Sequence, residues 1–345
     1  MIYSKKQISK AGKVLLTSKS QEDINIALDI INTWRTSHLH PLRVMKNALL
    51  RILLNSSINP ILVSQRLKRL SSIEYKLDLN ENMGLGGMQD IGGYRVVLKD
   101  LKDLIKLQKT LEKPNRRHKL ERVVDYVQTP KKSGYRSIHF IYRYSSKVEK
   151  HDGLKLELQV RTKLQHNWAT AVETAGIFTK TSLKSSQGPD DWLEFFQVVS
   201  SLFAIKEELP KLEIHADKNM EELMVYCYNL CNKLNILTTL KALRVSTNKI
   251  ETDNFPGEYY ILNINIKEMK VQILIYDKKE YERATREYLR LEKSITEGEN
   301  AVVLVLASSI KSLKKAYPSY FLDTSEFIQA LEKINRNCET LKLVK

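Results

Sequence analysis

Four polar clusters between Asp90 and Arg161 bring together the acids, cations, amides and rings that chemistry on phosphates requires. They are Asp90 with Arg95, Asp125 with Tyr126, a run from Pro130 to His139 holding Lys131, Tyr135 and Arg136, and Glu157 with Gln159 and Arg161. In the last cluster Leu154, Leu156, Leu158 and Val160 alternate with Lys155, Glu157, Gln159 and Arg161, which sets an apolar strand face against a polar one. By itself that pattern fits any strand with one face in water. The stretch Thr129 to Ser137 reads either as a basic hairpin turn or as a loop for a phosphate and a base. In the second reading Gly134 permits close backbone approach, Lys131 and Arg136 supply charge, and Tyr135 offers a ring on which a purine stacks. Upstream, Ser64 to Leu77 reads as a helix with Leu70, Ile73 and Leu77 on its apolar side and Arg66 at its start. Lys68, Ser72 and Lys76 recur every four residues and share a face, which suits a triphosphate or a plain surface ridge.

The elements that must position these side chains follow from periodicity. Residues 1–55 read as basic helices, with Ile24, Ala27, Leu28, Ile31 and Trp34 at helical spacing and a second run from Val44 to Leu54. After the turn marked by Gly84, Gly86 and Gly87, the chain reads as a strand Tyr94–Leu98, a helix striped by Leu101, Leu104, Ile105, Leu107 and Leu111, three strands (123–127, 138–144 and 154–160) and a helix 163–173. The expected fold class is therefore α/β (α+β), a mixed sheet flanked by helices. Expected domains are a helical basic region 1–55, a core 56–180, a helical region 181–247 broken near Pro210, and a small separate C-terminal domain 248–345 ordered ββαβα.

Charge is distributed unevenly. Residues 1–150 hold 29 Lys+Arg against 13 Asp+Glu, a net of +16; the remainder holds 27 of each, a net of zero. Such a bias points to a polyanion such as nucleic acid or nucleotide phosphate. No apolar run approaches the ~18 residues of a membrane span, and no signal-peptide core follows the basic start, so no membrane partner is expected. Cys227, Cys231 and Cys338 are too few for a disulfide framework, and packing explains the first two better than metal binding; a cytoplasmic location is expected.

Taken together, the motifs RLKRLSSIEYKL (66–77), QDIGGYRVV (89–97), DYVQTPKKSGYRSIHF (125–140) and ELQVRTKLQHNWATAVE (157–173) resemble the synthetase domain of the RelA/SpoT family, in family order over roughly residues 56–175. The resemblance implies a pyrophosphokinase that moves pyrophosphate from ATP to a 3′-hydroxyl with Mg²⁺. It implies Arg66, Lys68, Ser72, Lys76 and Arg95 on the ATP phosphates, Asp90 on the metal, and Glu157 as second metal ligand or general base. Lys131, Tyr135, Arg136, His139, Gln159 and Arg161 would hold the acceptor. A transfer of this kind needs positioning and charge neutralisation, which acids within a ring of cations supply.

Within that family the chain is most similar to CapRel-type fused toxin–antitoxin proteins. That likeness implies transfer to the 3′-CCA end of tRNA, arrest of translation, and a C-terminal domain that inhibits the enzyme through Tyr317 and Tyr320 until a phage structural protein binds. Two other readings stand beside it: a guanosine alarmone synthetase acting on GDP or GTP, and an inactive RNA-binding relative, against which the intact Asp90 and Glu157 count.

Overall fold

Local sequence starts and stops the first helices cleanly. Ser4 opens α1 (Lys5–Thr17) through a capping box with Gln7, and Ser20 caps α2 (Gln21–Ser37) by accepting from the Asp23 amide. The helix α3 (Leu39–Asn55) follows after a one-residue joint at His38. The computed structural model describes residues 3–113, 117–179, 183, 188–247, 257–265, 270–293, 300–306 and 324–344.

The core then runs β1 (Leu62–Leu67), α4 (Leu70–Asp78), β2 (Gly92–Leu98), α5 (Leu101–Leu111), β3 (Lys119–Asp125), β4 (Ile138–Arg143), β5 (Lys155–Thr162) and α6 (Lys163–Thr179). Three further helices, α7 (Asp190–Lys206), α8 (Met220–Lys233) and α9 (Ile236–Thr247), lead to β6 (Tyr259–Asn265), β7 (Lys270–Tyr276), α10 (Tyr281–Lys293), β8 (Asn300–Leu306) and α11 (Ser325–Thr340).

The eight strands form one mixed sheet in the order β3-β4-β5-β2-β1-β8-β6-β7. Strands β2 and β5 are parallel and the other pairings are antiparallel. The alternation predicted for β5 holds: Leu156, Leu158 and Val160 are buried, packed with Val96, Leu98, Phe140, Leu104 and Leu107 beneath α3 and α5. The opposite face of the same strands is polar and forms the cleft described below. A second apolar cluster joins α6, α7, α8, α9 and α11 around Phe195, Phe196 and Phe327, and a third joins α1, α2 and α4 around Ile8, Ile31 and Ile73. Cys227, Cys231 and Cys338 all lie in the second cluster, as packing residues.

Two expectations are corrected. Residues 64–67 are strand, not helix: Ser64, Gln65, Arg66 and Leu67 pair in register with Arg95, Tyr94, Gly93 and Gly92. The helical spacing of Leu70, Ile73 and Leu77 is real, but it begins only at Leu70, and pairing with β2 overrides any extension backwards. The C-terminal elements occur in the expected ββαβα order, yet they do not close a sheet of their own. Strand β8 meets β1 at Val305 and Arg66, so β6, β7 and β8 prolong the core sheet, and α11 packs on α8.

Candidate active site

The central strands present one polar face because side chains two apart point the same way. Across the sheet Arg66, Gly93 and Glu157 stand in one row, and Ser64, Arg95, Gln159 and His139 in the next. Asp90, just before β2, and Lys68, just after β1, close one end of a cleft lined also by Arg66, Arg95, Glu157 and Gln159. Gly93 lies on its floor. A Cβ built there would meet nothing nearer than the Arg66 carbonyl at 3.9 Å, so space stands open between Arg66 and Glu157.

Asp90 is held between two lysines. Lys68 Nζ donates to Oδ2 at 2.9 Å and Lys76 Nζ to Oδ1 at 3.0 Å. Burial alone would raise the Asp90 pKa; the paired ammonium groups outweigh it and hold the carboxyl down at about 2. Burial pushes Lys68 down, with Asp90 opposing and Lys76 and Arg66 adding repulsion. Asp90 is thus a fixed anion at any physiological pH.

Glu157 is organised differently. His139 Nδ1 lies 2.9 Å from its Oε1, and Gln159 Nε2 donates to Oε2 at 2.7 Å. The other His139 nitrogen lies 2.9 Å from the Tyr135 hydroxyl. Burial works against a charged imidazole, but Tyr135 and Glu157 together raise His139 to about 9, so it is a cation that donates from both nitrogens. Glu157 in turn is lowered: burial and the nearby Asp90 push it up, and His139 with Gln159 prevails.

Arg161 is fully buried, and among the described residues its Nε and Nη1 have no hydrogen-bond partner; nor has the buried Nε of the half-buried Arg95. Burial and then the charge of Arg95 pull Arg161 down to about 9, with Tyr135 and Glu173 opposing and Arg66 adding repulsion. A guanidinium stays charged in proteins, so unpartnered buried donors beside further arginines call for an anion. The carboxylates fit Mg²⁺, which is commonly held by one or two of them together with substrate phosphates. Among the described residues no cluster of three or more His, Cys, Asp or Glu forms an all-protein metal cage.

Three predicted roles change. Tyr135 is only 2% exposed, its ring packed in the second apolar cluster, so it presents no free face to a base. Arg136 is also buried and committed to the scaffold: Nη1 donates to the Val127 carbonyl at 2.8 Å and Nη2 to that of Pro210 at 2.6 Å. Gly134, at φ +93°, does allow close approach, but the approaching groups are Ser200 and Trp168, 2.8 and 3.1 Å from a Cβ placed there. The 130–137 loop is therefore built into the protein interior rather than left open for a ligand. Ser72 sits on the first turn of α4 and does not line the cleft. Lys131 is exposed, its Nζ 4.9 Å from the Tyr126 ring centre. Tyr317 and Tyr320 lie outside the described residues.

Tyr126 went unassigned in the sequence reading. It is half-buried, edge-on to His139 at 5.2 Å, and the more accessible ring beside that histidine. Its place in the Asp125-Tyr126 cluster was the signal available. Asp125 itself accepts from the Val127 and Gln128 amides at 2.8 and 3.0 Å and so shapes the turn.

Fold and site define an α+β domain with a cationic cleft around two ionised carboxylates. Residues 65–182 match the family described as "Region found in RelA / SpoT proteins". The chain carries a RelA/SpoT-family domain. GTP pyrophosphokinase YwaC of Bacillus subtilis (strain 168) is 32% identical over 84 residues, which are 24% of this chain and 40% of that protein. The chain thus spans well under half the length of that curated relative. Small alarmone synthetase 1 from Bacillus subtilis bound to pppGpp is 22% identical, covering 50% of this chain and 90% of that one, with a TM-score of 0.44. A GTP pyrophosphokinase family protein from Streptococcus pneumoniae is 20% identical over 55% of this chain and 93% of its own, with a TM-score of 0.42.

Proposed function

We propose that this chain is a pyrophosphokinase that transfers pyrophosphate from ATP to the 3′-hydroxyl of the tRNA CCA end and so stops translation. The observation that carries the chemistry is Asp90, ionised between Lys68 and Lys76, in one cleft with Glu157 and the unpartnered Nε of Arg95. In this reading the acceptor oxygen attacks the β-phosphorus of ATP, the bond between the α-phosphate's bridging oxygen and that phosphorus breaks, and AMP leaves. Glu157 takes the acceptor proton. His139, already a cation, cannot be the base at neutral pH; it orients Glu157 and keeps it ionised. Arg66, Lys68, Lys76 and Arg95 bind and align the phosphates. When bound at Asp90, Mg²⁺ supplies charge neutralisation for the transferred group.

The charge partition supports a large polyanionic acceptor, since all of the net +16 falls within residues 1–150 and Lys5, Lys6, Lys10 and Lys13 are exposed along α1. That helix is seated beside the Asp90 loop by Gly86, where a Cβ would strike the Lys5 carbonyl at 2.4 Å. The second reading, transfer to GDP or GTP, is supported by the relative named a GTP pyrophosphokinase. In the proposal the C-terminal segment is a regulator and a phage protein its trigger; the bond from the Leu70 amide at the start of α4 to Glu292 of α10 supports a link from that segment to the cleft. Incubation with γ-labelled ATP and either tRNA or GDP/GTP distinguishes the acceptors. Label on the tRNA 3′ end is expected; a labelled guanosine nucleotide with unlabelled tRNA would replace this reading by the second.

A further inference from the structure

Arg35 is a fully buried cation outside the cleft, and its partners come from distant parts of the chain. From α2 its Nε and Nη2 donate to the main-chain carbonyl of Lys68 at 3.1 and 2.8 Å. Its Nη1 and Nη2 donate to the Glu292 carboxylate at 2.7 and 3.1 Å, and Nη2 also reaches the Tyr288 hydroxyl at 2.5 Å. Asn32 Oδ1 accepts from Nη1 at 2.9 Å. Glu292 Oε1 accepts in addition from the Leu70 amide at 2.9 Å and from the Tyr288 hydroxyl at 2.8 Å.

The target of this network is a loop of two residues between β1 and α4. The Lys68 amide donates to the Ile91 carbonyl at 2.8 Å, and its carbonyl is gripped by Arg35. Both backbone groups of Lys68 are thereby fixed, the amide on Ile91, the residue after Asp90, while its side chain reaches Asp90 itself. Glu292 then satisfies the first amide of α4, the helix that carries Lys76. We infer that Arg35 and Glu292 are positioning residues for Lys68 and Lys76, so that α10 of the C-terminal segment is part of the framework on which the cleft's phosphate cations stand. Only a planar fork can hold one carbonyl with two donors while pairing a carboxylate with its other edge. A shift of about 1 Å in such a support is enough to misplace phosphate ligands. The inference rests on the proposal that the cleft takes ATP.

Two full-length variants test it. R35M/E292L removes both charges, so neither is left stranded in the interior. R35K keeps a cation for Glu292 and loses the fork, and it serves if the double variant does not fold. Hydrogen–deuterium exchange over residues 66–74 is expected to rise about tenfold in either variant, equivalent to losing ~1.4 kcal/mol of local protection. Affinity for α,β-methylene ATP with Mg²⁺ should weaken by about the same factor, and KM for ATP should rise with kcat changing less than about threefold. A general loss of packing would lower the melting temperature without this split. Unchanged exchange in a folded variant, or raised exchange with unchanged analogue affinity, overturns the inference. If the wild-type chain binds no analogue and transfers nothing, the proposed function fails instead, and the exchange measurement alone decides the clamp.

Discussion

Lys68 stands between two ion-pair clusters built on opposite principles. On its backbone side, Arg35, Tyr288 and Glu292 form a sealed network in which Arg35 has no exposed side chain and its partner Glu292 only 6%. On its side-chain side, Lys68, Lys76 and Asp90 are 14%, 34% and 19% exposed and open onto a cleft that also holds the unpartnered Nε of Arg95. Sealed pairs satisfy themselves and gain geometry; open pairs exchange partners when a ligand enters. The difference separates scaffold from site more sharply than charge does, since both clusters pair a carboxylate with cationic side chains.

The comparison breaks first if charge in the open cluster is dispensable. Asp90→Asn and Glu157→Gln should each lower transfer by about 10²–10⁴-fold while lowering the melting temperature less than a change at Glu292 does, measured by labelled transfer and calorimetry. In the sealed cluster the order reverses. Glu292→Ala strands Arg35 and should destabilise the fold by about 3–5 kcal/mol in denaturant titration. Truncation after Leu243 removes Glu292 and β8 together, and should yield a destabilised, weakly active protein rather than a released enzyme; full activity in the truncated chain would contradict this.

His139 supplies a pH test. Its folded pKa of about 9 lies above the usual 6.5, so its contribution to stability is complete below about pH 6.5 and lost as pH rises through 9. Asp90, held at about 2 against a usual 3.8, contributes above pH 3.8 and loses that contribution only as pH falls through 2. The melting temperature should therefore decline between pH 6.5 and 9 in wild type, and His139→Gln should flatten that decline. Charge reversal at Lys5, Lys6 and Lys10 should weaken tRNA labelling several-fold and reduce its salt slope by roughly one unit per lost phosphate contact. The smallest effect belongs to Ser72→Ala, expected within about twofold of wild type because Ser72 is absent from the cleft lining.

The β5 alternation was legible because period two survives any tertiary context that keeps one face dry, and it put Glu157, Gln159 and Arg161 together before any fold was known. Asp90, Lys68 and Lys76 were legible as charge at motif spacing, though Lys68 reaches Asp90 from a loop and not from the helix assigned to it. What failed were judgements that depend on neighbours distant in sequence. Nothing in Pro130–His139 says that Ser200, Trp168 and the Pro210 carbonyl would close over Gly134, Tyr135 and Arg136. Likewise, Arg35 and Glu292 are 257 positions apart, and each reads alone as an ordinary helix-surface charge. The C-terminal strands formed as expected, but an apolar run says nothing of which edge it joins; β1 offered one, and β8 took it.

The most direct test of the central claim is transfer of the γ-label from ATP in the presence of tRNA, with the wild-type chain and Asp90→Asn side by side. Label at the tRNA 3′ end with AMP released in equal amount, absent in the variant, is the predicted result. Release of labelled orthophosphate without a labelled acceptor, or equal labelling by Asp90→Asn, would contradict a pyrophosphokinase built on this cleft.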